Sequence, residues 1–245
     1  MVIVIMNQKG GVGKTTTAVN LAVSLKRNYK RVLLVDMDPQ ANTGVHLGIR
    51  ADVNNSMGSV LSGAKKISEI IKNAEDVDVA PSNIGLAGVE LQIVNEVGRE
   101  MLLKEILKDI DYEIIIIDCP PSLGLLSINA LTAADKIIVP VLTEYLAMEG
   151  LSDFLRTVQK VKNKLNNKLE ILGYLATGYA NTAISKNILE SLQSHFEGQV
   201  FKTVIRINTH LKEAPGAGKS IFAYKKCRGY EDYEKLGEEV YEKIK

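Results

Sequence analysis

The sequence predicts an α/β fold: a doubly wound, mostly parallel sheet with helices on both faces, in a single domain spanning residues 1–245. Three observations predict it. Short apolar, β-branched runs alternate with longer helix-period stretches, as strands and their crossover helices do in a parallel sheet. Several runs are apolar at every position, which suits strands covered on both faces. The first run leads through glycines directly into a helix, the entry of a phosphate-binding unit.

Val2–Met6 is the first predicted strand, followed by a helix over about 14–27. Val32–Val35 is the second strand. Residues 42–73 are rich in Asn, Ser and Gly and are expected to form a surface excursion within the domain. Val77–Val79 is a weaker strand, and a helical pattern runs over about 84–109. Ile114–Ile117, Lys136–Val141 and Leu169–Leu175 complete the main strands, with Val204–Ile205 a weaker candidate. The remaining helical patterns fall at about 124–133, 147–165, 183–196 and 231–244. In the last of these, Tyr233, Leu236, Val240 and Ile244 make an apolar face opposite an acidic one.

The phosphate loop reads Lys9-Gly10-Gly11-Val12-Gly13-Lys14-Thr15-Thr16. Its glycines allow a tight turn that aims backbone N–H groups at oxygen anions, and the helix N-terminus adds partial positive charge there. Lys14 can reach β- and γ-phosphates, and the Thr15 hydroxyl can ligate Mg²⁺. A phosphate loop needs only one lysine, yet Lys9 opens this one. Two carboxylates, Asp36 and Asp38, follow the second strand. In an open parallel sheet the strand C-terminal ends face the ligand crevice. There they could hold metal-bound water, with Asp38 nearer the γ-phosphate. Ile114–Ile117 ends in Asp118, a buried strand delivering an acid that can hold Mg²⁺ through water.

Composition limits the alternatives. The net charge is +1, so any site for a polyanion must be a local patch. Cys119 and Cys227 form no C-x-x-C pair, and His46, His195 and His210 have no ligand spacing. A reducing cytoplasm is the expected compartment. No apolar run approaches the ~18 residues of a membrane span.

Lys9 with its glycines resembles the deviant Walker A motif, K-G-G-x-G-K-[ST], of the ParA/MinD/nitrogenase-iron-protein ATPases. The resemblance is greatest to the short, Soj-type ParA proteins. It extends through N-Q-K-G-G-V-G-K-T-T-T at 7–17, V-L-L-V-D-x-D-P-Q at 32–40 and I-I-D-x-P-P-S at 116–122. E-Y-x-A-x-E-G at 144–150 and E-A-P-x-x-G-K at 213–219 continue it. The resemblance implies a deviant Walker A P-loop NTPase that binds ATP and Mg²⁺ and forms a homodimer on ATP. It implies weak hydrolysis stimulated by a ParB-like activator, and a role in plasmid or chromosome partition through non-specific double-stranded DNA. Lys14, Thr15 and Thr16 would bind phosphate and metal, Asp38 would position the hydrolytic water, and Asp118 would be the Walker B acid. Lys9 would complete the partner's site. Asn208 would hydrogen-bond the adenine edge, with the Glu213-Ala214-Pro215 turn near the base.

The chain also departs from that pattern. Relatives that bind DNA read V-I-P-R-N-V-R where this chain reads Val204-Ile205-Arg206-Ile207-Asn208-Thr209-His210, and a second DNA-contacting arginine falls near Asn181. Both arginine positions look lost. Two basic stretches could replace them. One carries Lys202, Arg206, Lys212, Lys219, Lys225, Lys226 and Arg228 against the single acid Glu213. The other carries Arg156, Lys160, Lys162, Lys164 and Lys168 with no acid. Leu142 stands where relatives usually have Gln, a change expected at the dimer face. The acidic C-terminal helix argues against a membrane-targeting tail, whose polar face would be basic. The protein is therefore expected to be cytoplasmic, and on the nucleoid if it binds DNA. The alternative reading is an ATP-switched positioning or regulatory protein that holds a protein cargo or replication factor without binding DNA.

Overall fold

The computed structural model describes residues 1–144 and 150–245. The block at 144–150 and the start of the predicted 147–165 helix therefore lie largely outside the described residues.

Seven strands form one sheet in the order β3-β4-β2-β5-β1-β6-β7. They are β1 (Val2–Ile5), β2 (Val32–Asp36), β3 (Lys72–Ala74), β4 (Val77–Ala80), β5 (Ile114–Asp118), β6 (Lys136–Leu142) and β7 (Glu170–Thr177). Every pairing is parallel except the β3–β4 hairpin at one edge. Side chains alternate between two cores as the strand period requires. Ile3, Ile5, Leu34, Ile114 and Ile116 face one layer, while Val4, Leu33, Val35, Ile115 and Ile117 face the other. Both faces are covered, which is why the strands read as continuous apolar runs.

Ten α-helices are described. They are α1 (Lys14–Leu25), α2 (Asn42–His46), α3 (Met57–Leu61), α4 (Gly85–Ile93), α5 (Leu102–Lys108), α6 (Leu125–Ala133), α7 (Leu151–Lys164), α8 (Ala183–His195), α9 (His210–Glu213) and α10 (Arg228–Ile244). α1 and α10 cover one face together, burying Leu21, Leu25, Tyr233, Leu236 and Val240. The approach is close. A Cβ added at Gly237 of α10 would stand 2.1 Å from Ser24 Oγ and 2.7 Å from Ser24 Cβ of α1. Helices α3 to α8 contribute to the opposite layer.

The structure corrects four sequence expectations. The segment 42–73 is no surface excursion, because Met57, Val60, Leu61, Ile67 and Ile70 are buried in the core. The predicted helix over 84–109 is broken between α4 and α5. Gly98 takes a left-handed φ of 75°, and Asn129 of α6 binds both sides of the break, through Arg99 O at 2.8 Å and Leu103 N at 3.1 Å. The Lys72–Ala74 strand was not anticipated; its turn is made by Glu75 and Asp76 at positive φ. Val204–Ile205 forms no ladder. Ile205 N donates to Ala176 O of β7 at 2.8 Å, and α10 takes flanking donors: Glu239 accepts from Lys202 N and Thr203 N at 2.8 and 3.0 Å, and Asp232 from Arg206 N at 2.9 Å. Isolated bridges at Val200 and Arg206 also join this stretch to β7 and the residues after it.

Candidate nucleotide site

The loop between β1 and α1 turns through Gly11 (φ 75°) and Gly13 (φ 85°), a conformation that suits glycine and disfavours residues with a Cβ. Gly13 occupies the N-cap position of α1, and no side chain caps the helix. A twelve-residue helix with an uncapped N-terminus at a loop of this shape is an anion site in waiting. The loop is braced from behind. Thr177 Oγ1 donates to Val12 O at 2.9 Å, and Asn7 Nδ2 donates to Pro140 O at 2.7 Å.

Lys14 is buried and its Nζ donates to Lys9 O at 3.1 Å. Burial lowers its pKa, opposed by the nearby Asp118 and Asp38 charges. An ammonium held without a carboxylate in direct contact leaves room for a phosphate to satisfy it. Lys9 is half-buried at the loop entrance, and its backbone N–H is fixed by Asn7 Oδ1 at 3.0 Å.

Asp36 and Asp118 end neighbouring parallel strands in direct register. Both are fully buried. Asp36 Oδ1 accepts from Asp38 N at 3.0 Å, and Asp118 Oδ2 accepts from Thr43 Oγ1 at 2.9 Å. Asp36 Oδ2 and Asp118 Oδ1 have no hydrogen-bond partner. Burial, reinforced by the Asp118 charge, pushes the Asp36 carboxyl well above the usual range. Burial also raises Asp118 to about 6, against the hydrogen bonds from Thr15 and Thr43. Two buried, partly orphaned carboxylates beside a phosphate loop are what a hydrated Mg²⁺ would satisfy, so the residues fit the metal. Among the described residues there is no cluster of three or more His, Cys, Asp or Glu able to enclose a metal alone. The remaining ligands would be the Thr15 hydroxyl, water and phosphate oxygens. Cys119, also buried, has its thiol pKa raised well above normal by burial and packs as a small core residue.

Asp38 lies beyond β2, nearly buried, with Oδ1 accepting from Gln40 N at 2.9 Å. It lines a cleft of about 340 Å³ with Gly10, Gly11, Gly13, Lys14, Thr15, Thr16, Gln40, Asn42 and Pro121. A second cavity of about 310 Å³ adjoins it across the loop, since Gly11, Gly13 and Thr16 line both. Val12, Leu142, Gly178, Ile205 to Asn208, Leu211, Lys212 and Tyr233 form its walls. A polar cleft joined to a partly apolar one has the plan of a phosphate pocket with a base pocket beside it.

The structure thus brings together Lys14, Thr15, Thr16, Asp36, Asp38 and Asp118, with Asn208 in the adjoining cavity. Asn208 Oδ1 caps its own turn through His210 N at 2.8 Å. Pro215 sits in the short turn Ala214–Ala217, which packs toward α2. Leu142 lines the same cavity as Asn208. Arg206, one of the candidate DNA contacts, has its guanidinium held by Asp232 and Glu231, which match its charge within the chain. Lys212, Lys219, Lys225, Lys226 and Arg228 are exposed. Sequence reasoning missed Thr43, whose hydroxyl orients Asp118, and Gln40 and Asn42 in the cleft. The signal available was their position, Gln40 closing the Asp36–Gln40 block and Asn42 and Thr43 just after it.

Among the described residues no helix is long and apolar enough to cross a membrane. The AAA domain family matches residues 1–171. The chain is 48% identical to the sporulation initiation inhibitor protein Soj of Bacillus subtilis, over 98% of this chain and 97% of that one. It is 44% identical to the chromosome partitioning protein ParA of Myxococcus xanthus, over 98% of this chain and 87% of the other. Its fold superposes with a TM-score of 0.86 on a cobyrinic acid a,c-diamide synthase of Mycobacterium smegmatis solved with ADP and magnesium. That protein is 36% identical, with 97% of this chain and 92% of the other covered. With a phosphate loop, paired strand-end acids and near full-length likeness to these proteins, the chain belongs to the Soj/ParA group of AAA-domain P-loop ATPases.

Proposed function

We propose that the protein is a partition ATPase that dimerises on ATP, binds DNA without sequence preference and releases it when a ParB-like activator stimulates hydrolysis. The observation that carries the nucleotide part is the pair Asp36 and Asp118, each with an unsatisfied buried oxygen, beside Lys14 at an uncapped helix N-terminus. Bound Mg²⁺ would supply charge neutralisation on the β- and γ-phosphate oxygens. Thr15 and Asp118 would hold it, Asp118 through water, with Asp36 behind. Lys14 neutralises charge on the phosphates, and Asp38 orients the attacking water. Phosphoryl transfer needs positioning and charge more than a strong base, so an isolated subunit turns over slowly. Lys9 completes the partner's site across the dimer.

The DNA-binding part rests on exposed Lys212, Lys219, Lys225, Lys226 and Arg228, and on the basic face of α7, where Arg156, Lys160 and Lys164 are exposed. Phosphate contacts of this kind give sequence-independent, salt-sensitive binding. The engagement of Arg206 by acids favours a second reading, in which the same ATP switch holds a protein cargo and not DNA.

The experiment is light scattering and duplex-DNA binding of wild type and Asp38→Ala, without nucleotide, with ADP and with ATP, over a salt series. An ATP-dependent dimer that binds random-sequence DNA and loses it with salt supports the partition reading. An ATP dimer that ignores DNA supports the second. An Asp38→Ala variant that stays monomeric in ATP overturns both.

A further inference from the structure

We propose that Arg206, clamped by Asp232, is a positioning residue for nucleobase recognition. It holds the segment Ile205–Asn208 as a wall of the base cavity at a set distance from the phosphate loop. The inference rests on the nucleotide reading above and adds a specificity determinant to it.

On one side the wall is tied to β7 and the residues after it, though not by a continuous ladder. Ile205 N donates to Ala176 O at 2.8 Å, Tyr179 N to Ile205 O at 2.9 Å and Ile207 N to Tyr179 O at 3.0 Å. At Arg206, between these bonds, the chain is caught from the other side. Asp232 Oδ2 accepts the Arg206 backbone N–H at 2.9 Å and Nε at 3.1 Å. Asp232 Oδ1 accepts Nε at 2.9 Å and Nη2 at 2.6 Å. One carboxylate therefore fixes both the main chain and the side chain of the same residue, in the fork geometry that arginine offers and lysine does not. Glu231 adds a contact to Nη2 at 3.0 Å. Asp232 is 4% exposed, so this pairing is made out of contact with bulk water.

The residue after Asp232 reaches the phosphate side. Tyr233, fully buried, shares a hydrogen bond at 3.2 Å with Thr17 Oγ1 of α1, and Thr17 N donates to Gly13 O of the loop at 2.9 Å. Consecutive residues of α10 thus hold the base segment and the phosphate helix. Tyr233, Arg206 and Asn208 line one cavity with Thr16. The gap between base wall and phosphate loop is set through α10, and Arg206 is the base-side attachment. At this position the resembling family carries proline, which has a restricted φ and no N–H. The arginine–aspartate clamp holds the chain by other means.

The test compares MgATP with magnesium tripolyphosphate, which has the phosphates and no base, by calorimetry. The proteins are wild type, Arg206→Ala, Arg206→Lys and the double variant Arg206→Ala/Asp232→Asn. The double variant leaves no unpaired buried charge, so it reads the clamp even where Arg206→Ala is poorly folded. Weakening of ATP binding by about tenfold, near 1.4 kcal/mol, with tripolyphosphate binding unchanged and Arg206→Lys intermediate, is the expected result. Equal weakening of both ligands marks a purely structural role and overturns the proposal, as does unchanged ATP binding in the double variant. A wild type that binds neither ligand overturns the nucleotide reading and the clamp with it.

Discussion

Asp36 and Asp118 face each other across neighbouring parallel strands, both wholly buried, and each keeps one carboxylate oxygen unpaired. Burial raises both pKa values, Asp118 to about 6 and Asp36 well above the usual carboxylate range. Above the unfolded carboxylate range the native state then holds protons that the unfolded chain has lost. Stability of the nucleotide-free protein is therefore greatest at low pH within this window and falls as pH rises through about 6. Thermal melts between pH 5 and pH 8, values chosen to bracket that window, should show a falling Tm in wild type and a flatter profile in Asp36→Asn.

Metal binding should reverse this dependence. Carboxylates must be deprotonated to meet Mg²⁺, directly or through water, so nucleotide binding with magnesium should release protons and weaken below about pH 6. Calorimetry in two buffers of different ionisation enthalpy measures the proton release. No release at or below about pH 6 would contradict the placing of the metal beside these carboxylates.

Asp38→Ala should slow hydrolysis by about a hundredfold or more, since an unpositioned water loses most of its near-attack geometry. Its ATP affinity should change little, because Asp38 faces the cleft and Gln40 N, while the proposed phosphate contacts are Lys14 and Thr15. Phosphate release and nucleotide binding, measured separately, check the two halves.

Thr43→Val keeps the volume of a buried side chain and removes the hydroxyl that donates to Asp118. It should cost about 1–3 kcal/mol of stability, the range for leaving a buried polar group unpaired. It should also raise the Asp118 pKa further, because the hydrogen bond favours the charged form. Denaturant titration at pH 5 and pH 8, on either side of the Asp118 value, separates the effects, with the larger loss at the higher pH.

Gly237→Ala should destabilise the α1–α10 pair by about 1–3 kcal/mol, because the new methyl lands on Ser24. Ser24→Gly in the same chain should recover much of it, which a double-mutant cycle on Tm and denaturant midpoint would read.

Much of this architecture was legible in the sequence for a physical reason. A strand buried on both faces has to be apolar throughout, so Ile114–Ile117 could be little else. A loop that wraps phosphate needs glycine where φ is positive, so Gly11 and Gly13 marked the site. Acids at two strand ends were equally legible, and Asp36 and Asp118 come into register there. These are local requirements, written within a few residues of one another. What only the tertiary structure decided was long-range. The burial of Met57 and Ile70 depends on a groove made by distant helices. The hydroxyl of Thr43 matters because it comes to lie beside Asp118. Arg206 looked like one more basic residue in a basic stretch, and its partner is an aspartate 26 positions away that folding brings within 2.6 Å. Composition records that a charge exists, and the fold alone determines which opposite charge it meets.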